Sequence, residues 1–130
     1  MFEKYIIVGE EFKNVVEGGK RTGFQLGVRL PYYRGIQVQQ VDNLELAIDG
    51  KPVPRNQIRV TLHGNTYTLD DFLQEENDRW EFGEVGIVTV ATPGGLPPGE
   101  HKVELAPYLR IGYWPKTFAG RDTKVLTLVQ

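Results

Sequence analysis

The chain has 130 residues, of which 40% are hydrophobic and 25% charged, and 15 basic against 17 acidic side chains leave a net charge of -2. This size predicts a single domain over residues 1–130 with a core of its own, and the near-neutral charge disfavours a nucleic-acid or membrane surface. Because the chain has no cysteine and only two histidines, disulfides and thiolate metal sites are excluded, and the histidines alone cannot form a zinc site. The apolar run near the N-terminus is too short for a signal peptide or a membrane span, so we expect a cytoplasmic protein.

Alternating apolar and polar residues, punctuated by 15 glycines and 8 prolines, are typical of a β-sandwich or barrel. Strands are predicted at residues 5–8, 12–16, 22–30, 36–41, 44–48, 58–63, 66–69, 85–91, 101–113 and 123–129. The predicted fold class is therefore all-β, an antiparallel, jelly-roll-like β-sandwich with one short helix. Asp49-Gly50 and Gly64-Asn65 predict two-residue hairpin turns, because glycine accepts a positive φ without steric cost.

The helical candidate covers residues 71–76, and Asp70 is placed to cap its first turn. Carboxylates around it could serve a self-sufficient hydrolase or bind calcium, but they lack the ligand spacing of a calcium loop, and a solvated face is the favoured interpretation. These carboxylates are Asp70, Asp71, Glu75, Glu76 and Asp78. His101 is predicted to be a structural corner residue bonded to nearby backbone, and His63 a solvent-facing residue beside a turn.

Two segments combine arginine with aromatic residues, the side chains that concentrate binding energy in interfaces. Their members are Arg29, Pro31, Tyr32, Tyr33 and Arg34 in the first segment, and Arg110, Tyr113 and Trp114 in the second. Pro31 confines its position to a sheet edge or a strand end. From the residues alone, a docking surface and an ordinary strand end are both open. A free-standing carbohydrate-binding module, stacking sugars on Trp80, Tyr113 and Trp114, is a further alternative.

Several motifs occur in a fixed order, namely GFQLGVRLPYYRGIQV, GNTYTLDDF, WEFGE, PGGLPPGEHKVEL and RIGYW. Together they resemble the small β subunits of the bacterial C-glycoside deglycosidases, also called C-deglycosylation enzymes. The resemblance runs from about Gly23 to the C-terminus, and its most specific element is RLPYYRG joined to the two last motifs.

This resemblance implies a β-sandwich subunit in a hetero-oligomer with an α subunit, a (β/α)8 barrel that carries a divalent metal, manganese. The implied complex is a carbon–carbon lyase that detaches a sugar from a flavonoid or related aglycone, after a separate oxidoreductase has converted the sugar 3-hydroxyl to a ketone. Metal and catalytic groups are then expected on the barrel, and neither cofactor nor catalytic residue in this chain. The eight residues of the two segments become the expected partner interface or active-site cap.

Overall fold

The computed structural model describes residues 6–30, 35–110 and 118–129. In chain order its strands and its α-helix are β1 (Ile7–Glu17), β2 (Lys20–Val28), β3 (Ile36–Gln37), β4 (Val41–Ile48), β5 (Lys51–Pro52), β6 (Ile58–Leu62), β7 (Asn65–Thr68), α1 (Leu69–Gln74), β8 (Arg79–Trp80), β9 (Gly86–Ala91), β10 (Gly99–Leu109), β11 (Phe118–Ala119) and β12 (Asp122–Leu128). Within these ranges, no helix has the length and apolar character needed to cross a bilayer.

Two five-stranded antiparallel sheets face each other. The first has the order β1-β2-β9-β6-β7; the second has the order β11-β10-β4-β5, with β12 also paired to β10. Inward side chains of both sheets meet in one core, for example Leu26 and Val88 from the first sheet and Leu46 and Leu105 from the second. This alternation of inward apolar and outward polar positions is what the sequence pattern predicts. The prediction of an all-β antiparallel sandwich with one short helix is confirmed.

One end of the sandwich is closed by the small sheet formed by β3 and β8. Trp80 of β8 is 0% exposed, and its ring meets Phe72 of α1 edge-on with 6.4 Å between centroids. The indole lies so close to Gly86 that a Cβ there would be 2.7 Å from Trp80 Cζ2, so glycine is required where β9 begins. We call this the Trp80 end; it comprises residues 28–30, 35–42, 62–64, 78–86 and 109–110.

Helix α1 begins two residues earlier than predicted, and Asp70 is not its cap. The Thr68 hydroxyl accepts a hydrogen bond from Asp71 N, and the Asp71 carboxylate accepts one from Thr68 N, both at 2.9 Å. This reciprocal arrangement satisfies two backbone donors at once. Asp70 is instead directed to solvent, 86% exposed, and pairs with Arg55 at 3.1 Å. The predicted Asp70 cap was therefore wrong.

One hairpin prediction is confirmed and the other is displaced by one residue. Asp49 and Gly50 join β4 to β5 with φ of 52° and 82°, as a two-residue turn requires. The second turn consists of His63 and Gly64, with φ of 54° and 80°, because Asn65 already pairs with Leu62 across β6 and β7. The prediction of a Gly64-Asn65 turn was wrong.

Candidate functional site

The described members of the two arginine and aromatic segments are Arg29 and Arg110, and both lie at the Trp80 end. Six other members lie outside the described residues, namely Pro31, Tyr32, Tyr33, Arg34, Tyr113 and Trp114. Arg29 follows β2, and its backbone N donates to Ile6 O at 2.8 Å. Its side chain has no hydrogen bond or ion pair with any residue in the described ranges. No residue in the described ranges therefore competes for the Arg29 guanidinium.

Arg110 is bound within its own chain. Its Nη2 donates to Gln39 O at 2.6 Å, and its Nε lies 2.6 Å from an Asp42 carboxylate oxygen. The backbone N of Arg110 donates to Gln40 O at 2.7 Å, and the Gln40 side-chain amide donates back to Arg110 O at 3.0 Å. These bonds attach the end of β10 to the 3-10 turn Val38–Gln40. Residues 111–117 follow Arg110 in the sequence.

The same turn leads back to the first segment. From Gly35 the chain enters β3, where Ile36 pairs with Trp80, and then Val38 N donates to Asp78 O at 3.1 Å. A side chain at Gly35 would displace the exposed Glu81 carboxylate from its position beside this strand. The structure therefore places Arg29, Gly35 and Arg110, the described residues that belong to or flank the two segments, at the same end of the sandwich.

His63 forms a second polar cluster at the Trp80 end. Its Nδ1 lies 2.9 Å from Asp78 Oδ1, its Nε2 lies 2.5 Å from Glu84 Oε2, and the Tyr67 hydroxyl donates to Asp78 Oδ2 at 2.6 Å. The hydrogen bond to Asp78, aided by the Glu84 charge, raises the pKa of His63, while the Asp78 hydrogen bond and burial raise the pKa of Tyr67 to about 12. The His63 side chain is 45% exposed, so the prediction of a solvent-facing residue is confirmed, although that prediction did not include these partners. Asp78 and Glu84 lie in loops, and the local sequence does not reveal that these loops approach His63.

We expect the His63 pKa, measured by NMR titration of the two histidines, to lie above 6.5 and to fall in the variant Asp78→Asn. The raised pKa means that the cluster stabilises the fold fully below about pH 6.5 and loses this effect as the pH rises through the folded-state pKa. Asp70→Asn is the matched control, because Asp70 contacts Arg55 and not His63. If His63 titrates at its ordinary pKa in the unmodified chain, the contacts of its ring with Asp78 and Glu84 are contradicted.

His101 is buried at the opposite end, which we call the His101 end and which comprises residues 49–50 and 94–101. Its Nε2 lies 2.7 Å from Pro97 O and its Nδ1 lies 2.7 Å from Asp49 Oδ2. Burial alone would lower the pKa of His101, but the hydrogen bonds to Pro97 O and Asp49 outweigh it and raise that pKa. The prediction of a structural corner histidine is confirmed.

Carboxylates of the acidic cluster form hydrogen bonds within the chain, which is a structural role. Asp71 caps α1, Glu75 Oε2 accepts from Asn77 N at 2.9 Å, and Asp78 binds His63 and Tyr67. Across residues 6–30, 35–110 and 118–129, no group of three or more histidine, aspartate or glutamate side chains is placed to hold a metal ion. The alternative of sugar stacking on Trp80 was wrong, because its ring is buried in the core.

Comparison with known proteins agrees with the sequence resemblance. A C-glycoside deglycosidase beta subunit of Eubacterium cellulosolvens is 33% identical over 114 residues, which cover 87% of this chain and 78% of the relative. A subunit of the same name from Arthrobacter globiformis is 29% identical over 107 residues, covering 79% and 81%. The 3'-dehydrocarminate deglycosidase beta subunit of a Microbacterium species is 26% identical over 116 residues, covering 88% and 83%.

The family model for the C-glycoside deglycosidase beta subunit matches residues 2–113, a range that includes both ends of the sandwich, the first arginine and aromatic segment and Arg110. This match covers well over half of the chain, and the motifs quoted from the sequence agree with it. The chain belongs to the C-glycoside deglycosidase beta subunit family.

Proposed function

We propose that this chain is the small accessory subunit of a C-glycoside deglycosidase and that its Trp80 end covers the active site of a barrel-type α subunit. The complex would cleave the carbon–carbon bond between the sugar and the aglycone of a 3-oxo-C-glycoside. One relative is named for a 3'-dehydro compound, which supports a ketone at that sugar position. Flavonoid C-glycosides are the substrate class that the sequence resemblance favours.

The observation that carries this proposal is the common anchoring of the two arginine and aromatic segments. Leu30 and Gly35, which flank residues 31–34, and Arg110, which precedes residues 111–117, all lie at the Trp80 end. Tyrosine, tryptophan and arginine contribute most strongly to binding when they are gathered in one patch. A patch to which both segments contribute would suit a single extended partner surface.

The chemistry of the substrate explains why such a cap is useful. A 3-oxo group acidifies the hydrogen at the neighbouring C2, so a base can remove it, and departure of the aglycone then needs an acid that protonates its leaving carbon. Barrel active sites lie at the mouth formed by the loops after the strands, which is open to water. A subunit laid over that mouth excludes water and strengthens the electrostatic interactions inside.

The divalent metal that the resemblance implies does not fit the described residues of this chain, which offer no suitable ligand set. Manganese on the α subunit would supply Lewis-acid polarisation of the sugar ketone. Base, acid and metal ligands are accordingly assigned to the α subunit, and this chain is assigned binding, orientation and water exclusion. Its place is in a carbon–carbon lyase complex of the cytoplasm, without a catalytic residue of its own.

The proposal predicts that the chain co-purifies with a co-encoded barrel protein and that Arg29→Glu weakens this association by about tenfold or more, because a charge is reversed within the interface. Co-expression, affinity purification and titration of the two separated subunits would measure the effect. Arg21→Glu is the matched control, since Arg21 is exposed at the other end of β2. Tyr33→Ala and Arg34→Ala should also weaken association or deglycosylation.

A free-standing carbohydrate-binding module would behave differently in the same experiment. It would show no affinity for the barrel protein while binding glycans alone. That outcome would overturn the proposed function, and equal association of Arg29→Glu and Arg21→Glu would remove Arg29 from the interface.

A further inference from the structure

A groove of about 380 Å³ crosses the outer face of the second sheet, over the middle of β4 and β10. Its floor consists of Ala47 and Ala106, which point outward because their neighbours Leu46 and Leu105 point into the core. Ala106 is only 4% exposed, because larger side chains around it form the walls of the groove. The volume lies near the lower end of the range of roughly 300–1,000 Å³ that is usual for small-molecule sites.

Two carboxylates at this floor supply hydrogen-bond acceptors. In the register of β4 with β10, Glu45 lies opposite Ala106 and Glu104 lies opposite Ala47. The Tyr108 hydroxyl donates to Glu45 Oε1 at 2.8 Å, which fixes that carboxylate and raises the pKa of Tyr108. Glu104 has no hydrogen bond or ion pair with any other residue that the structure describes, so none of these residues occupies its two oxygens.

Arg121 supplies hydrogen-bond donors from the other side of the floor. It precedes Asp122, which pairs with Leu105 and has a buried side chain, so the Arg121 side chain points outward beside Ala106. Two strand spacings of about 4.8 Å separate its position from that of Glu45. One sugar ring can lie between them. Like Glu104, Arg121 has no bonded partner in the described part of the chain.

The mixture of groups selects the class of ligand. A carboxylate only accepts hydrogen bonds and a guanidinium only donates them, whereas a hydroxyl group does both. Glu45 and Glu104 together disfavour an anion, and Arg121 and Arg55, which also lines the groove, disfavour a cation. Adjacent hydroxyls of a neutral sugar satisfy both kinds of group, while the two alanines accommodate the C–H face of the ring.

We propose that this groove binds the sugar ring of a neutral pyranoside, at a site separate from the Trp80 end. The site goes beyond the proposed function, because it needs neither the partner subunit nor the lyase reaction. It would give the accessory subunit an affinity of its own for glycosides. Because the groove is open and the ligand has only about a dozen non-hydrogen atoms, we expect a dissociation constant in the millimolar range.

NMR titration of the full chain with methyl β-D-glucopyranoside tests the proposal. We expect saturable shifts of the backbone amides of Ala47, Ala106 and Arg121. Glu104→Gln and Arg121→Met should each weaken binding by about tenfold, the effect expected for a lost hydrogen bond to a charged group. Glu100→Gln is the matched control, because it makes the same charge change on the same face of β10 outside the groove.

Several results would overturn the pyranoside site. They are a titration without saturable shifts, shifts confined to the Trp80 end, competition by inorganic phosphate, and equal affinity of the Glu104→Gln and Glu100→Gln variants. A fifth is weaker co-purification of Glu104→Gln or Arg121→Met with the barrel protein, because the groove would then be a subunit contact. Since the titration uses the chain alone, its failure leaves the association expected at the Trp80 end intact.

Discussion

Replacing Trp80 with alanine is expected to lower the free energy of unfolding by about 3–5 kcal/mol, as is usual for a large aromatic residue removed from a core. The indole is fully buried, meets Phe72 edge-on, and its Nε1 donates to Glu84 O at 2.8 Å. The variant leaves both a cavity and an unpaired carbonyl where β3 and β8 close the sandwich. Against a total stability of about 5–15 kcal/mol, such a chain would be marginal. Urea unfolding followed by circular dichroism measures the difference.

Trp80→Phe keeps the prediction testable if the alanine variant does not fold. It retains most of the ring but loses the donor to Glu84 O, and we expect a loss of about 1–3 kcal/mol. Leu73→Ala is the control, because Leu73 is among the exposed large hydrophobic residues and sits on the outer side of α1. A loss below about 1 kcal/mol for Trp80→Ala would contradict the role of the indole as the centre of this end.

The strands with clean alternation were predictable from sequence, and the irregular ones were not. Residues 85–91 and 123–129 were predicted within one residue of β9 and β12, because more buried and more exposed side chains alternate along both strands. In contrast, Ile7 and Val8 of the predicted strand 5–8 belong to the same strand, β1, as residues 12–16, and the register of β1 to β2 shifts between Val8 and Lys13. The sequence Gly9-Glu10-Glu11 at this irregularity is typical of a turn, but β1 pairs with β2 on both sides of it.

Predicted strand 36–41 fails for a related reason. Only Ile36 and Gln37 pair with β8, after which the chain makes a 3-10 turn in which the Gln40 side chain accepts a hydrogen bond from Gln37 N at 3.0 Å. The apolar residues of this stretch alternate as in a strand, but side-chain bonds to backbone compete with strand pairing. The bond from Arg110 N to Gln40 O then stabilises the turn, and a contact over that sequence distance is invisible in local patterns.

The candidate site was predictable as a set of residue types and not as an arrangement. Arginine near tyrosine marked both segments, but the common position of Arg29, Gly35 and Arg110 at the Trp80 end depends on the end of β2, the start of β3 and the end of β10 lying together. Thr68 could have been found, since a threonine three residues before an aspartate at a helix start predicts a capping box. The His63 cluster could not, because Asp78 and Glu84 reach it only through the tertiary fold.

His101→Leu is expected to lower the free energy of unfolding by about 2–3 kcal/mol near pH 6, because a buried ring with two strong hydrogen bonds is lost. The His101 side chain is 7% exposed and joins Asp49, in the hairpin between β4 and β5, to Pro97 in the corner before β10. Lys102 N also donates to Asp49 at 2.9 Å, so the carboxylate bonds two consecutive residues of β10. Thermal and urea unfolding of both chains would measure the loss.

The pH dependence of this loss identifies its cause. Because the folded-state pKa of His101 is raised, its stabilisation is complete below about pH 6.5 and disappears as the pH rises through that raised pKa. The hydrogen bond from His101 lowers the pKa of Asp49, so the carboxylate's contribution is present above about pH 3.8 and is lost as the pH falls through its folded-state pKa. The difference in free energy of unfolding between the unmodified chain and His101→Leu should therefore be largest between these limits and smaller near pH 9.

An equal difference near pH 6 and near pH 9 would mean that the shape of the His101 ring, and not its charged hydrogen bonds, makes His101 necessary. Asp49→Asn, which keeps an acceptor oxygen but removes the charge, should abolish most of the pH dependence while leaving the hairpin turn in place.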